Sequence, residues 1–354
     1  MIINNLKLYL SMVSSAAISA AVSLSILTMI IVSAVKPAQA ELSLSKIKVA
    51  MPFTVLVQRA ALEGAVKAGD FKREGLDVTI VGFRSWTEPV QAIAANAAQF
   101  ALGGGGFIRA AIGGRAPVRA IAMVSSRIPY LFWTKKTSGI KSIKDLRGKT
   151  IQTVRTGETL DNVWKEVLAD AGLKISDVKR FESFNGFGAL MSGNAQVANI
   201  SSNFIGKARK AGLIQVLDYN TISGKSGVVA GSGQNLGWGT SLKMLKDHPD
   251  TVRAFLRALA KATQRLRNDR AFAVSVLTEK PYIQSEATAK EVWKMHKDAW
   301  MLRLDLSKGD YSFDVAMTEI ALRKPKGSID IKQASALKPI ADVLQELNIS
   351  FSSN

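Results

Sequence analysis

Two stretches of this chain repeat one design, and that repeat constrains the fold more than any other feature: Ala98–Ile108 reads AQFALGGGGFI and Ala195–Ile205 reads AQVANISSNFI. At an offset of 97 residues, Ala98/Ala195, Gln99/Gln196, Ala101/Ala198, Phe107/Phe204 and Ile108/Ile205 are identical, Phe100 faces Val197, and Gly75-Leu76 faces Gly172-Leu173. Each copy is an apolar run that ends in small residues, Gly104-Gly105-Gly106 or Ser201-Ser202-Asn203, and is followed by a helix-compatible segment. The pattern predicts strand, tight loop and helix start, used twice. Such loops offer unpaired N–H groups and helix starts carry partial positive charge, so two facing copies suit one anionic group. Strand-loop-helix units are common in α/β proteins, and matches of Gly, Ala and Ser are cheap. The agreement of the flanking segments is what favours a duplication.

With 354 residues and 47% hydrophobic content the chain is globular and long enough for two lobes. Its first forty residues differ in kind: an apolar run from Leu8 to Val35 precedes Lys36-Pro37-Ala38-Gln39-Ala40. The run is long enough to span a membrane uncleaved. The small residues Ala38 and Ala40 favour a secretory signal over residues 1–40, cut before Glu41, and hence a periplasmic protein. The chain has no Cys, which excludes a lipid-modified N-terminal cysteine, disulfides and thiol chemistry together. Removing Lys7 and Lys36 from the 47 Lys+Arg leaves 45 against 28 Asp+Glu, a mature charge near +17. No zinc-ligand spacing or RNP-like aromatic motif accompanies that charge, so no nucleic-acid partner is expected. It reads mainly as a solvated basic surface and secondarily as an affinity for anions.

Along the chain, buried strands are expected at Ile47–Met51, Leu76–Val81, Arg119–Val124, Tyr130–Thr134, Ile151–Val154, Val178–Phe181 and Ile214–Leu217. Thr54 and Thr87 are read as N-caps of the helices that follow them. The most amphipathic helix carries Leu160, Val163, Trp164, Val167, Leu168 and Ala171 on one face and stops at Gly172. Val228–Gly233 reads as a returning strand and bend, and Asn235–Gly239 as a loop bearing Trp238. Pro249 opens a long helix with Val252, Phe255, Leu256 and Leu259 inward, and the remainder is helical.

These residues resemble a family, the extracytoplasmic substrate-binding proteins of ABC transporters, in the group of sulfonate, taurine and nitrate binders. The resemblance rests on the export signal, IKVAMP through VKAG, KREGLDVTIV, DLRGKTI, the helix ending DAGL, and GSIDIKQASALKPIADVL, in that order from Ile47 to Leu347. It implies a type II periplasmic-binding-protein-like fold: two α/β lobes joined by two crossover segments, with a ligand cleft between them. Lobe 1 would be residues 41–127 with 231–354, and lobe 2 residues 128–230. Where the family often carries an acidic residue, this chain has Gly193-Asn194-Ala195-Gln196-Val197-Ala198, and Gln99 in the first copy. Both positions are expected away from ligand.

If the lobes face each other, the cleft takes Phe53, Thr54, Trp86, Thr87, Gly105, Gly106 and Phe107 from the first. The second gives Thr156, Gly157, Phe184, Asn185, Ser202 and Asn203, and Trp238 follows the return crossover. Hydroxyls, amides and backbone N–H groups would fix a polar head, and Phe53, Trp86 and Trp238 would cover an apolar tail, ordinary packing being an equal reading for each aromatic. Arg84, Arg127 and Arg155 are candidate partners for an anion, although a solvated surface role is commoner for any one arginine.

Other chemistry finds little support. Gly106 is followed by Phe107-Ile108-Arg109 and not by the Lys-Ser/Thr of a phosphate-binding loop. The only imidazoles are His248 and His296, with no Cys to join them, so no metal or other cofactor is expected. No G-x-S-x-G elbow accompanies a His. The expected function is non-enzymatic: a monomeric receptor that hands a small, anionic organic solute, sulfonate-, nitrate- or carboxylate-like, to a membrane permease. The alternative is a binder or enzyme of the thiamine pyrimidine-precursor type on the same fold. A regulatory effector-binding domain would need a DNA-binding segment where the apolar export segment stands.

Overall fold

The structure is a computed structural model and describes residues 44–52, 56–125, 130–156, 158–221, 235–279, 285–302 and 312–351. The export segment and the Ala40–Glu41 junction lie outside them. So do the strand expected at Val228–Gly233 and the cap residue Thr54.

Two five-stranded sheets share one plan. In the first, β1 (Ser45–Pro52) runs parallel to β2 (Leu76–Phe83) and β3 (Phe100–Leu102), and one antiparallel strand separates β3 from β4 (Val118–Ser125). In the second, β6 (Thr150–Thr153) runs parallel to β7 (Lys179–Glu182) and β8 (Val197–Asn199), and β5 (Leu131–Lys135) lies antiparallel between β8 and β9 (Leu213–Asp218). The inserted strand of the first sheet is β10 (Asn235–Ser241), giving the orders β2-β1-β3-β10-β4 and β7-β6-β8-β5-β9. The chain leaves the first sheet after Ser125 and returns to it at Asn235, so both crossovers fall outside the described residues.

The repeat extends to individual hydrogen bonds. Gln99 N donates to Lys48 O at 3.0 Å, Lys48 N donates to Gln99 Oε1 at 2.8 Å, and Thr240 Oγ1 donates to Gln99 O at 2.6 Å. Gln196 has the same three partners in its own sheet: Thr150 O at 2.8 Å, Thr150 N at 2.7 Å and Thr134 Oγ1 at 2.6 Å. Each glutamine fastens the entry of a short strand to its neighbour, away from the strands' carboxyl ends. Ahead of them, Asn96 at φ 56° and Gly193 at φ 80° make the same left-handed turn, also 97 residues apart.

The helices are α1 (Leu56–Lys67), α2 (Asp70–Arg73), α3 (Glu88–Ala94), α4 (Gly106–Ile108, continued by a π-helical turn over Arg109–Gly113), α5 (Thr159–Asp170), α6 (Gly186–Met191) and α7 (Ile205–Lys210). After β10 come α8 (Leu242–Asp247), α9 (Pro249–Asn268), α10 (Arg270–Leu277), α11 (Glu286–His296), α12 (Ser312–Leu322) and α13 (Lys338–Glu346). Proline at the start of α9 suits a helix opening, and Val252, Phe255, Leu256, Leu259 and Leu266 are buried against the first sheet. Phe255 stacks on Phe100, ring centroids 3.9 Å apart. In the second core Trp164 of α5 packs on Phe132 and donates Nε1–H to Gln152 O at 2.7 Å. Fully burying a side chain of this size stabilises by about 1.5–3 kcal/mol.

Two local expectations are corrected. Asn235–Gly239 is a strand inside the sheet and not a loop, because glycine lets it pass where no side chain fits. A Cβ at Gly237 would lie 1.8 Å from Val124 Cγ2, and one at Gly239 would lie 2.3 Å from Phe107 Cζ. Thr87 makes no capping bond to α3. Ser85 Oγ accepts from Glu88 N at 3.3 Å, and the Glu88 carboxylate accepts from Arg84 N at 3.0 Å and Ser85 N at 3.2 Å. One C-terminal helix serves both sheets: Met317 of α12 is buried with Trp164 and Phe132, while Val315 packs with Phe107 and Ile108.

Candidate functional site

The parallel strands of both sheets end at one cavity of ≈ 260 Å³. Loops beyond the carboxyl ends of parallel strands are the usual ligand position in open α/β sheets, because helix starts and backbone N–H groups converge there. Trp86 and Thr87 reach it from the β2–α3 turn that Glu88 and Ser85 hold, Gly103, Gly104 and Gly105 from the end of β3, and Val57 and Gln58 from the first turn of α1. The second sheet contributes Gln152 and Val154 after β6, Glu158 and Leu160 at the start of α5, Phe184–Phe187 after β7, and Asn199–Ser202 with Phe204 after β8.

Several polar side chains in the wall are already committed. Gln152 Nε2 donates to Ser183 O at 2.5 Å, and its Oε1 accepts from Asn199 N at 3.1 Å, which ties the ends of β6, β7 and β8 together. Asn199 Oδ1 accepts from Leu131 N at 3.2 Å, and Asn185 Oδ1 accepts from Gly188 N at 2.8 Å as the cap of α6. Gly186 is required beside them, since a Cβ there would lie 2.0 Å from Asn199 O. The glycine run is shaped in the same way. Gly104 takes φ 54°, a Cβ at Gly103 would strike Val90 Cγ2 at 2.5 Å, and one at Gly105 would strike Asp314 Oδ1 at 2.7 Å. The Cβ direction of Gly105 therefore points at α12 rather than into the cavity.

Among the described residues the charge in the wall belongs to Arg109 and Glu158. Arg109 follows the glycine run by one turn, and its guanidinium makes no hydrogen bond or ion pair with another described residue. Burial pulls its pKa down, against the field of Asp314, Tyr130 and Glu158. Burial pushes the Tyr130 phenol upward, as do Asp314 and Glu158, with Arg109 opposing. Burial likewise raises the pKa of Glu158, opposed by Arg155 and Arg109 and reinforced by Glu182 and Asp161.

Of the residues expected in the cleft, Trp86, Thr87, Gly105, Phe184, Asn185 and Ser202 lie together in the cavity wall. Gly106 and Phe107 lie beneath it, Phe107 fully buried against Gly103 and Gly239. Trp238 is fully buried, edge-on to Phe255 at 5.6 Å, and so belongs to the core of the first sheet. Thr156 is exposed and its Oγ1 accepts from Arg180 Nη2 at 3.1 Å. Phe53, Thr54 and Gly157, the side chain of Asn203, and Arg127 lie outside the described residues, while Arg84 and Arg155 are exposed. Sequence reasoning missed Arg109, Tyr130, Glu158, Gln58, Phe187 and Phe204. One signal was there for Arg109: it is the only charged residue between Glu88 and Arg115.

Two α/β lobes on equivalent sheets, each with one inserted antiparallel strand, and a cavity where the parallel strands of both end, make the periplasmic-binding-protein fold. Residues 59–271, more than half of the chain, match the family described as NMT1/THI5 like, and the chain belongs to that family. No curated protein matches the sequence. Among solved structures, the periplasmic aliphatic sulphonate binding protein SsuA from Escherichia coli is similar in fold, with TM-score 0.64, 14% identity, and coverage of 82% of this chain and 92% of that one. The alkanesulfonate-binding protein SsuA from Xanthomonas axonopodis pv. citri, bound to MOPS, has TM-score 0.66, 16% identity, and coverage of 82% and 98%. The desulfurization enzyme DSZB shares the fold too, with TM-score 0.63, 14% identity, and coverage of 85% and 99%.

Proposed function

We propose that this chain is an extracytoplasmic solute-binding protein that presents a small anionic organic molecule to the permease of an ABC transporter. The observation that carries the reading is the cavity where the parallel strands of both sheets end, with the Arg109 guanidinium in its wall free of any hydrogen bond to described residues. A half-buried cation of this kind gains most from a charge-assisted hydrogen bond to an acid group. The sulfonate-binding structures of the same fold support a receptor of this type. In this reading residues 1–40 are an export signal removed after Ala40, the mature chain is a monomer without a lipid anchor, and the lobes are 41–127 with 231–354, and 128–230. Trp86, Thr87, Gly105, Phe184, Asn185 and Ser202 shape the ligand site around Arg109.

A catalytic reading is favoured by one observation, the fold shared with DSZB. Against it, the chain has no cysteine and the cavity wall carries no histidine, so a thiol nucleophile and an imidazole base are both missing from it. Cell fractionation with N-terminal sequencing of the mature protein, followed by a thermal-shift screen of small organic anions, tests the proposal. The expected result is periplasmic protein beginning at Glu41 and stabilised by at least one anion in a concentration-dependent way. Unprocessed cytoplasmic protein, or a screen in which turnover rather than stabilisation is found, would contradict it.

A further inference from the structure

We propose that the solute is an aryl monoanion, one aromatic ring bearing one sulfonate or carboxylate, with its acid group on Arg109 and its ring among the aromatic side chains of the wall. This rests on the reading of the chain as a solute receptor and narrows it to a chemical class.

Rings dominate the apolar part of the wall. Trp86 comes from the first lobe, and Tyr130, Phe184, Phe187 and Phe204 come from the second. Phe187 and Phe204 lie nearly parallel, 12° apart with centroids separated by 6.4 Å. Phe184 is 51% exposed and Phe204 38% exposed, unusual for large apolar side chains in a well-packed lobe, and both border the cavity. A ligand ring would cover them from the open side, where edge-to-face and offset-stacked pairs favour a ring over a saturated group of the same size.

The polar part of the wall limits the rest of the ligand. The side-chain oxygens of Gln152, Asn185 and Asn199 already accept from backbone N–H groups, so a solute that donates hydrogen bonds along its length meets amide oxygens that are already engaged. Among the described residues Arg109 is the one cation in the wall and Glu158 the one carboxylate, near enough that each feels the other's charge. One acid group can pair with Arg109, whereas a second would meet Glu158. A cavity of ≈ 260 Å³ holds on the order of nine waters at their liquid volume. An inorganic anion such as nitrate would displace one or two of them and leave the rings wet.

Calorimetry on the mature protein can decide this with benzenesulfonate and benzoate, set against cyclohexanesulfonate, cyclohexanecarboxylate, ethanesulfonate, nitrate and the neutral benzamide. Aryl anions are expected to bind roughly tenfold tighter than their cyclohexyl counterparts, and benzamide to bind far more weakly than benzoate. Arg109→Gln is expected to weaken benzenesulfonate about 100-fold, with partial recovery in Arg109→Lys. If cyclohexyl, short aliphatic or inorganic anions bind as tightly as the aryl anions, the ring assignment is overturned and the receptor reading stands. If benzamide matches benzoate, the acid-group assignment is overturned without recourse to any variant. If folded Arg109→Gln binds benzenesulfonate like the parent, the placement on Arg109 falls. If no anion of any class binds, both the proposal and the receptor reading are overturned.

Discussion

Glu158 and Arg109 face one cavity, and the protonation of Glu158 makes the site sensitive to pH. The pKa of Glu158 stands above the ordinary carboxylate value, chiefly because burial penalises its charged form. As pH falls through that raised pKa the carboxylate becomes neutral and a like charge beside a bound anion disappears. Affinity for benzenesulfonate, which stays ionised throughout, should therefore rise roughly three- to tenfold between pH 8 and pH 5, and Glu158→Gln should flatten the profile. An unchanged slope in that variant would assign the effect to another group. Glu74 behaves oppositely. Burial raises its pKa, but hydrogen bonds and charge from Lys261 and Arg257 of α9, at 2.7 and 2.6 Å, outweigh burial and leave it lowered. A folded pKa below the unfolded one gives stability that is present above the unfolded value and is lost as pH falls through the folded one. Glu74→Gln should cost about 1–3 kcal/mol in urea denaturation at pH 7, and the difference from the parent should shrink in acid.

At the scale of elements, the duplicated strand entries give a paired prediction. Gln99→Ala and Gln196→Ala each remove the acceptor of one strand N–H, from Lys48 and Thr150 respectively. Each should cost about 1 kcal/mol, with the larger loss at Gln196, whose bond to the half-buried Thr150 is less exposed than the bond of Gln99 to the exposed Lys48. A neutral Gln196→Ala would mean that the shared bonds carry no stability. Gly186→Ala should cost about 3 kcal/mol or more, because a Cβ 2.0 Å from Asn199 O forces the start of α6 away from β8. The parallel strands, the amphipathic α5 and α9 and the repeat were legible in the sequence because each has a period or a stop that local chemistry dictates. The β10 strand was not: Asn235, Gly237 and Gly239 carry low strand propensity, and only the approach of Val124 and Phe107 explains why glycine stands there. Trp238 was legible as a large aromatic, but its place in the core depends on that misread strand. Arg109 was overlooked because the glycines drew the reading toward backbone N–H groups, although a lone charge in a long apolar stretch has to meet something polar.

Across the whole molecule, the two sheets are joined by more than the crossovers. The α12 helix packs into both cores, and Arg209 of α7 pairs with Glu291 of α11 at 2.6 Å, linking helices of the two lobes. With side chains 55% and 35% exposed, that pair is worth about 0–1 kcal/mol, so Arg209→Ala should leave ligand affinity within about threefold of the parent. Close approach matters more than charge here. A Cβ at Gly206 would lie 2.3 Å from Thr288 Oγ1, and Gly206→Leu should hold the lobes apart and weaken binding more than tenfold while each lobe stays folded by circular dichroism. The position of the bound acid group bears most directly on the account as a whole. In a crystal structure of the mature chain with benzenesulfonate, the sulfonate oxygens should lie within hydrogen-bond distance of the Arg109 guanidinium, with the ring against Trp86 and Phe204. A sulfonate bound outside this cavity, or inside it with Arg109 turned away, would contradict the account.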